Sequence, residues 1–332
     1  MSRVPTLPDQ PARERFDAVC VGETMVLLTP DSGTPLAQRP KLSMEVGGAE
    51  SNVACGLARR GHRAAWVSSV GADPFGRVVT DTLVSHGVDT GLVRVDPHRP
   101  TGMYLKDPVD SGTRVHYYRS GSAAAAMGPE VADAGWASTS RLIHLSGITP
   151  ALSATCAALV ERLVTERPPE GRPTVVFDVN YRPSLWSRRD AAAPLSRLAG
   201  AADIILVGLD EAKTLWGTDR PDAVRALFPD AACLVVKDAD VGATCFTAEA
   251  STFVPALDVK VVEAVGAGDA FAAGFLSGLL DGRPVRDRLR LGHILAGSTL
   301  QSVRDLAAFP VRDECERMLA LSEPEWTALR LT

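Results

Sequence analysis

From Ala18 onward the chain alternates short apolar runs with segments of helical period. The apolar runs predict strands over Ala18–Gly22, Ala64–Val70, Leu142–Leu145, Val175–Val179, Ile204–Val207 and Cys233–Lys237. Ser51–Arg60, Ser153–Val164, Arg188–Leu198 and Glu211–Gly217 read as helices between them. The first puts Val53 and Leu57 on one face and stops at Gly61, a residue suited to a left-handed C-terminal position. Strand, helix, strand in this order argues for an α/β fold, a mostly parallel central sheet flanked by helices on both faces. No fixed-period repeat is present.

Two stretches break the alternation. Residues 25–46 and 101–119 carry Pro, Gly and alternating runs such as Met103-Tyr104-Leu105-Lys106 and Val115-His116-Tyr117-Tyr118. They read as β-hairpins, which either pair as a small accessory sheet or stand as ordinary surface hairpins.

Composition narrows the class. Of 332 residues, 45% are hydrophobic and 23% charged, enough apolar material for a substantial core. The net charge is −5 and no basic stripe with interleaved aromatics occurs, which argues against nucleic acid as a partner. Cys20, Cys55, Cys156, Cys233, Cys245 and Cys315 are scattered, without a CxxC pair, and several lie in apolar runs. They read as buried, reduced thiols of a cytoplasmic protein. Residues 1–15 read as a flexible extension without the apolar core of a signal peptide, and no run suits a membrane span.

The strongest chemical signal is Glu263-Ala264-Val265-Gly266-Ala267-Gly268-Asp269, followed by Phe271, Phe275 and Leu279 at i, i+4, i+8 spacing. A helix therefore begins near Gly268 behind small residues. Amides there can approach an oxygen-rich ligand, and the helix dipole favours negative charge. A carboxylate in that first turn can accept a proton from an attacking hydroxyl. Taken alone, a GxGD segment serves equally well as a tight turn with a capping Asp. A second signal is Gly47-Gly48-Ala49-Glu50-Ser51-Asn52, paired glycines before a helix whose first turn offers the amide of Asn52.

These two motifs, in this order, resemble the PfkB (ribokinase-like) carbohydrate kinases. Within that family the chain is most similar to the 2-keto-3-deoxygluconate kinases. The stretches that carry this are Tyr117-Tyr118-Arg119, His144-Leu145-Ser146-Gly147-Ile148-Thr149-Pro150 and Asp178-Val179-Asn180-Tyr181-Arg182. The resemblance implies one kinase domain over residues 16–332, with a β lid from segments of about 25–46 and 101–119. It implies Asp269 as catalytic base, with the amides of Gly266, Ala267 and Gly268 as anion hole. Gly48, Asn52, Tyr104, Tyr118, Arg119 and Arg182 match sugar-binding positions, and a carboxylate-bearing sugar suits the planar fork of Arg. Gly208, Lys237, Gly242, Gly266, Gly268 and His293 match the ATP side, and Glu211 matches the residue that orders water around Mg²⁺. A homo-oligomer is also implied.

The nucleotide side departs from the family pattern. The usual Asn before Glu211 is Gly208, one loop glycine is Ala239, Asp238 and Asp240 are new acids, and Glu263-Ala264 replaces Asp-Thr. The resemblance thus implies ATP-dependent phosphorylation of a sugar acid, 2-keto-3-deoxygluconate to its 6-phosphate. Alternatives are a fructokinase-like enzyme, or a weakly active or non-catalytic sugar-binding regulator.

Overall fold

The computed structural model describes residues 16–31, 33–109, 112–166, 172–302 and 309–331, so the expected extension over 1–15 lies outside the described residues. In chain order the strands are β1 (Phe16–Val21), β2 (Met25–Pro30), β3 (Leu42–Gly47), β4 (Ala64–Val67), β5 (Ser69–Gly71), β6 (Arg94–Asp96) and β7 (Met103–Val109). They continue as β8 (Gly112–Tyr118), β9 (Ser140–Ser146), β10 (Thr174–Asp178), β11 (Ile204–Gly208), β12 (Cys233–Asp238), β13 (Gly242–Thr247) and β14 (Ser251–Pro255). The helices used below are α1 (Ala49–Arg59), α2 (Pro74–Ser85), α3 (Thr149–Leu152), α4 (Ala154–Thr165), α5 (Arg188–Ala201) and α6 (Leu209–Trp216). After α7 (Pro221–Leu227) come α8 (Ala267–Leu280) and α9 (Val285–Leu300).

The central sheet has eight strands in the order β14-β13-β12-β11-β10-β9-β1-β4. From β12 to β4 every neighbouring pair is parallel, and β13 and β14 close one edge as antiparallel strands. Successive strand residues feed opposite layers. Cys20, Trp66, Val176 and Leu206 pack with α1, α8 and α9, whereas Val21, Val67, Phe177 and Val207 pack with α4, α5 and α6. Two covered faces explain why these strands read as unbroken apolar runs.

The run Ala64–Val70 divides in two. The chain leaves the central sheet at Ser68, whose carbonyl accepts from the Arg94 amide, and Ser69–Gly71 then pairs with β6 instead. The apolar stripe on α8 also understates that helix, because every residue from Asp269 to Leu280 is buried. Its alanines and glycines form a second contact face. A Cβ added at Gly274 would come within 2.4 Å of the Leu291 carbonyl oxygen, so α9 lies against the α8 backbone.

The two hairpins do pair. β2–β3 and β7–β8 are antiparallel hairpins, and a parallel β2–β7 contact joins them into a four-stranded sheet, β3-β2-β7-β8. This sheet stands beside the carboxyl ends of the parallel strands. The chain runs from β1 outward to β4 and returns to β9 on the other side of β1, a reversal of the kind that opens a crevice in such sheets.

Candidate active site

The crevice brings together residues from many separate segments of the chain. α8 begins after Gly266, which takes a left-handed backbone conformation (φ 82°) open to glycine at little cost. That turn delivers Asp269 into the first turn of the helix. Asn52, in the first turn of α1, donates from Nδ2 to Asp269 Oδ2 at 2.8 Å, so the two glycine motifs meet across 217 residues of sequence. Burial pushes the Asp269 carboxyl up to about 7, against the opposing pull of the Asn52 hydrogen bond and the Arg182 charge. A carboxyl poised near neutrality is well matched to taking a proton from a hydroxyl. The Oδ1 of Asn52 is buried without a hydrogen-bond partner, an acceptor facing the same space.

One cavity, of about 570 Å³, extends from Asp269 beneath the small sheet. Tyr104 and Tyr117 sit directly opposite one another on β7 and β8, and their rings stack with centroids 5.6 Å apart. Arg119 follows β8. Its Nε donates to Glu23 Oε2 at 2.6 Å, Glu23 also accepts from Ser122 Oγ, and the guanidinium lies 5.8 Å from the centre of the Tyr117 ring. Arg182 reaches the same cavity from the β10–α5 connection. Its side chain is 46% exposed, with Nη1 held by the Tyr181 carbonyl at 3.2 Å and 3.9 Å from Glu211 Oε1. Gly48 lines the cavity too, but its missing side chain has a structural cause: a Cβ there would stand 2.4 Å from the Glu23 carbonyl oxygen.

Tyr118 requires a correction. It is 63% exposed and does not line the cavity, whereas its neighbour Tyr117 does. Strand alternation is the reason. Tyr118 pairs with Met103 and shares the outer face of the small sheet, while Tyr117 shares the inner face with Tyr104.

A second cavity, of about 770 Å³, lies between β13, α8 and α9 and is walled largely by apolar groups such as Phe271, Ala296 and Leu300. His293 lines it with its ring edge-on to Phe271. Its Nε2 donates to the Val254 carbonyl at 3.1 Å, and burial lowers its pKa to about 4, so the ring is neutral. Gly242 lines the same wall, and Asp240 is exposed at the rim. Asp238 lines neither cavity. Ala239 lines both, and it holds a left-handed backbone (φ 40°) that a Cβ disfavours.

The two cavities share Lys237, Ala239, Ala264 and Gly268. The Lys237 ammonium is held by both Asp178 oxygens at 3.2 and 3.0 Å. Burial pulls its pKa down, but the Asp178 and Glu211 charges outweigh this and leave it raised. A Cβ at Gly268 would meet only Lys237 Nζ, at 3.8 Å, so the helix N-terminus opens onto free space beside a cation. Anionic oxygens fit such a cradle. Gly208 and Glu211 lie on the Asp269 side of this junction. Glu211 Oε2 accepts from the Gly208 amide at 2.9 Å, and burial raises its carboxyl to about 7. Among the described residues no cluster of three His, Cys, Asp or Glu side chains could hold a metal ion. A Mg²⁺ ion held mainly by phosphate and water, its usual preference, needs few protein carboxylates, and Glu211 is one that lies beside this junction.

The sequence reading passed over Glu23 and Asp178 as site residues. Each stands at or just beyond the carboxyl end of a parallel strand, β1 and β10, and that position was the available signal.

The model of the pfkB family carbohydrate kinases matches residues 15–311. The chain belongs to this family. It is a carbohydrate kinase, a phosphotransferase acting on a sugar. It is 33% identical over 312 residues to the 2-dehydro-3-deoxygluconokinase of Bacillus subtilis, covering 92% of this chain and 96% of that protein. Identity to the 2-dehydro-3-deoxygalactonokinase of Haloferax volcanii is 32% over 312 residues, with 91% and 96% covered. The crystal structure of a PfkB protein from Polaromonas sp. JS666 superposes with a TM-score of 0.82 at 34% identity, covering 91% of this chain and 99% of that one. The ribokinase-like fold with its accessory sheet is thus established for this chain.

Proposed function

We propose that the protein transfers the γ-phosphoryl group of ATP to the terminal hydroxyl of 2-keto-3-deoxygluconate, giving its 6-phosphate. The observation that carries this reading is the junction of the two cavities at Gly268, with Asp269 on one side and an apolar cleft on the other. The adenine of ATP suits the apolar cavity, with Gly242 and His293 along its wall. Its phosphates suit the junction with Lys237, and the sugar acid suits the cavity under Tyr104 and Tyr117. The similarity to a 2-dehydro-3-deoxygluconokinase supports the substrate.

In this mechanism the Asp269 carboxylate accepts the proton of the C6 hydroxyl, and that oxygen attacks the γ-phosphorus. The bond from the γ-phosphorus to the β,γ-bridging oxygen breaks, and ADP leaves. The amides of Gly266, Ala267 and Gly268 receive the charge on the transferred group, that of Ala267 on release from the Ala264 carbonyl to which it donates at 3.3 Å. Asn52 fixes the Asp269 carboxylate through the hydrogen bond described above. Glu211 would order the water of a Mg²⁺ ion bound with ATP, which would supply neutralisation of phosphate charge. Arg182, partly exposed and loosely paired, takes the substrate carboxylate, and Arg119, anchored by Glu23, completes that end.

The small sheet acts as a lid of the domain that begins near residue 16. Its outer face exposes Leu42, Met44 and Tyr118, which supports a homo-oligomer. All six cysteines are buried and free, as suits the cytoplasm, and no described helix is long and apolar enough to cross a membrane.

The test is to incubate the purified protein with ATP, Mg²⁺ and 2-keto-3-deoxygluconate and locate the phosphate by ³¹P NMR. A phosphomonoester coupled to the C6 protons supports the reading. No phosphorylated sugar acid at any enzyme concentration refutes it.

A further inference from the structure

Lys106 stands on β7, two residues from Tyr104 and on the same inner face of the small sheet. Its side chain is only 8% exposed. The ammonium reaches across to Glu263, with Nζ 3.4 Å from Oε2. Glu263 immediately precedes the turn that presents the anion-binding amides. Its other oxygen, Oε1, accepts from the Ala264 amide at 3.0 Å and the Val265 amide at 3.4 Å. One carboxylate thus ties the small sheet to the start of the phosphoryl-binding turn, across 157 residues of sequence.

Two features mark this bridge as more than a surface ion pair. A lysine buried to this degree is retained only with a partner, since an unpaired charge there is strongly destabilising. The bridge joins the element over the sugar to the element that receives the phosphoryl group, so its loss would be felt at the reacting atoms without contact to them. Displacements on the order of 1 Å at such a centre cost about a hundredfold in rate.

We propose that Lys106 is a positioning residue: its pair with Glu263 holds the phosphoryl-binding turn in register with the small sheet, so that the anion hole is ordered when the sheet covers the sugar. The inference rests on the phosphoryl transfer proposed above.

The test uses the full chain with Lys106→Met, Lys106→Arg, Glu263→Gln, the double variant Lys106→Met/Glu263→Gln and the exchange Lys106→Glu/Glu263→Lys. Amide hydrogen exchange over residues 264–268, measured without sugar or nucleotide, is expected to speed up in Lys106→Met and Glu263→Gln and to return toward wild type in Lys106→Arg. kcat is expected to fall by about tenfold in each of those two single variants and no further in the double variant, as for a coupled pair. KM for the sugar acid stays within about twofold, and charge exchange restores part of kcat. Unchanged amide exchange in Lys106→Met would overturn the proposal. So would a rise in KM confined to sugar acids, which would make Lys106 a direct ligand of the carboxylate. Because amide exchange needs no substrate, the bridge can fail while the kinase reading stands, or hold while that reading fails.

Discussion

The sugar-side and nucleotide-side halves of the crevice are built on different physical terms. Beneath the small sheet, polar side chains meet in pairs: Glu23 with Arg119, Lys106 with Glu263, and the amide of Asn52 with Asp269. Between α8 and α9 the wall is largely apolar, its histidine is neutral, and its acidic residues Asp240 and Asp258 are both exposed. A paired charge has few acceptable replacements, because removing one partner strands the other. An apolar wall that offers mainly backbone and area tolerates exchange of like for like.

The largest effect is expected at the boundary between the halves. Asp269→Asn should lower kcat by about 10²–10⁴-fold while sugar binding persists. The same substitution tests the electrostatics by stability. Burial raises this carboxyl from an unfolded value of about 3.9 to about 7. The folded state therefore holds an extra proton in that interval, and stability falls as pH rises from about 4 to about 7. Above pH 7 the cost is fully present. Asp269→Asn should accordingly raise Tm at pH 8 and leave it nearly unchanged at pH 4. In the wild type, kcat/KM should drop below pH 7 as the base takes its proton.

On the sugar side, Arg119 and Arg182 should separate cleanly. Either change to Ala should raise KM for a sugar acid by about 10- to 100-fold, the range of a lost charged hydrogen bond, with little change for a neutral sugar. Arg119→Ala should also lose about 3 kcal/mol of stability, because the buried Glu23 loses its opposite charge and keeps only the Ser122 hydrogen bond. Arg182→Ala, at a half-exposed side chain, should melt as the wild type does. Denaturant titrations beside the kinetics would read both. A smaller contrast separates the adjacent tyrosines: Tyr117→Ala should raise the sugar KM by about tenfold through lost stacking and area, and Tyr118→Ala should leave it unchanged.

The smallest effect belongs to the nucleotide side. Ala239→Gly should relieve a left-handed backbone worth about 1 kcal/mol and raise Tm by about 2 °C. KM for ATP should fall with it. A lowered Tm would mean that the loop is held by contacts of the Ala239 methyl instead.

Most of the fold was legible because the central strands carry their signal in uniform apolar runs, and the helices between them are marked by period and by Gly61 and Gly217 at their ends. Asp269 and Asn52, which the structure brings together, stand out in the sequence because glycines before a helix have a short list of uses. Three things were not. The choice of Tyr117 over Tyr118 depends on which face of β8 turns inward, and either phase fits an alternating run. The Glu23–Arg119 and Lys106–Glu263 pairs join residues 96 and 157 positions apart, and no local pattern encodes such partners. The second buried face of α8 was hidden because its contacts are made by Gly and Ala, which give little hydrophobic signal.

The central claim, that paired charges under the small sheet select a sugar acid for transfer by Asp269, is met most directly by one assay. ADP release is followed with ATP and Mg²⁺ for 2-keto-3-deoxygluconate, fructose and other neutral sugars, on wild type beside Asp269→Asn. The account predicts a kcat/KM for the sugar acid at least about a hundredfold above that for any neutral sugar, lost on substitution of Asp269. Equal turnover of fructose, or turnover that survives Asp269→Asn, would contradict it.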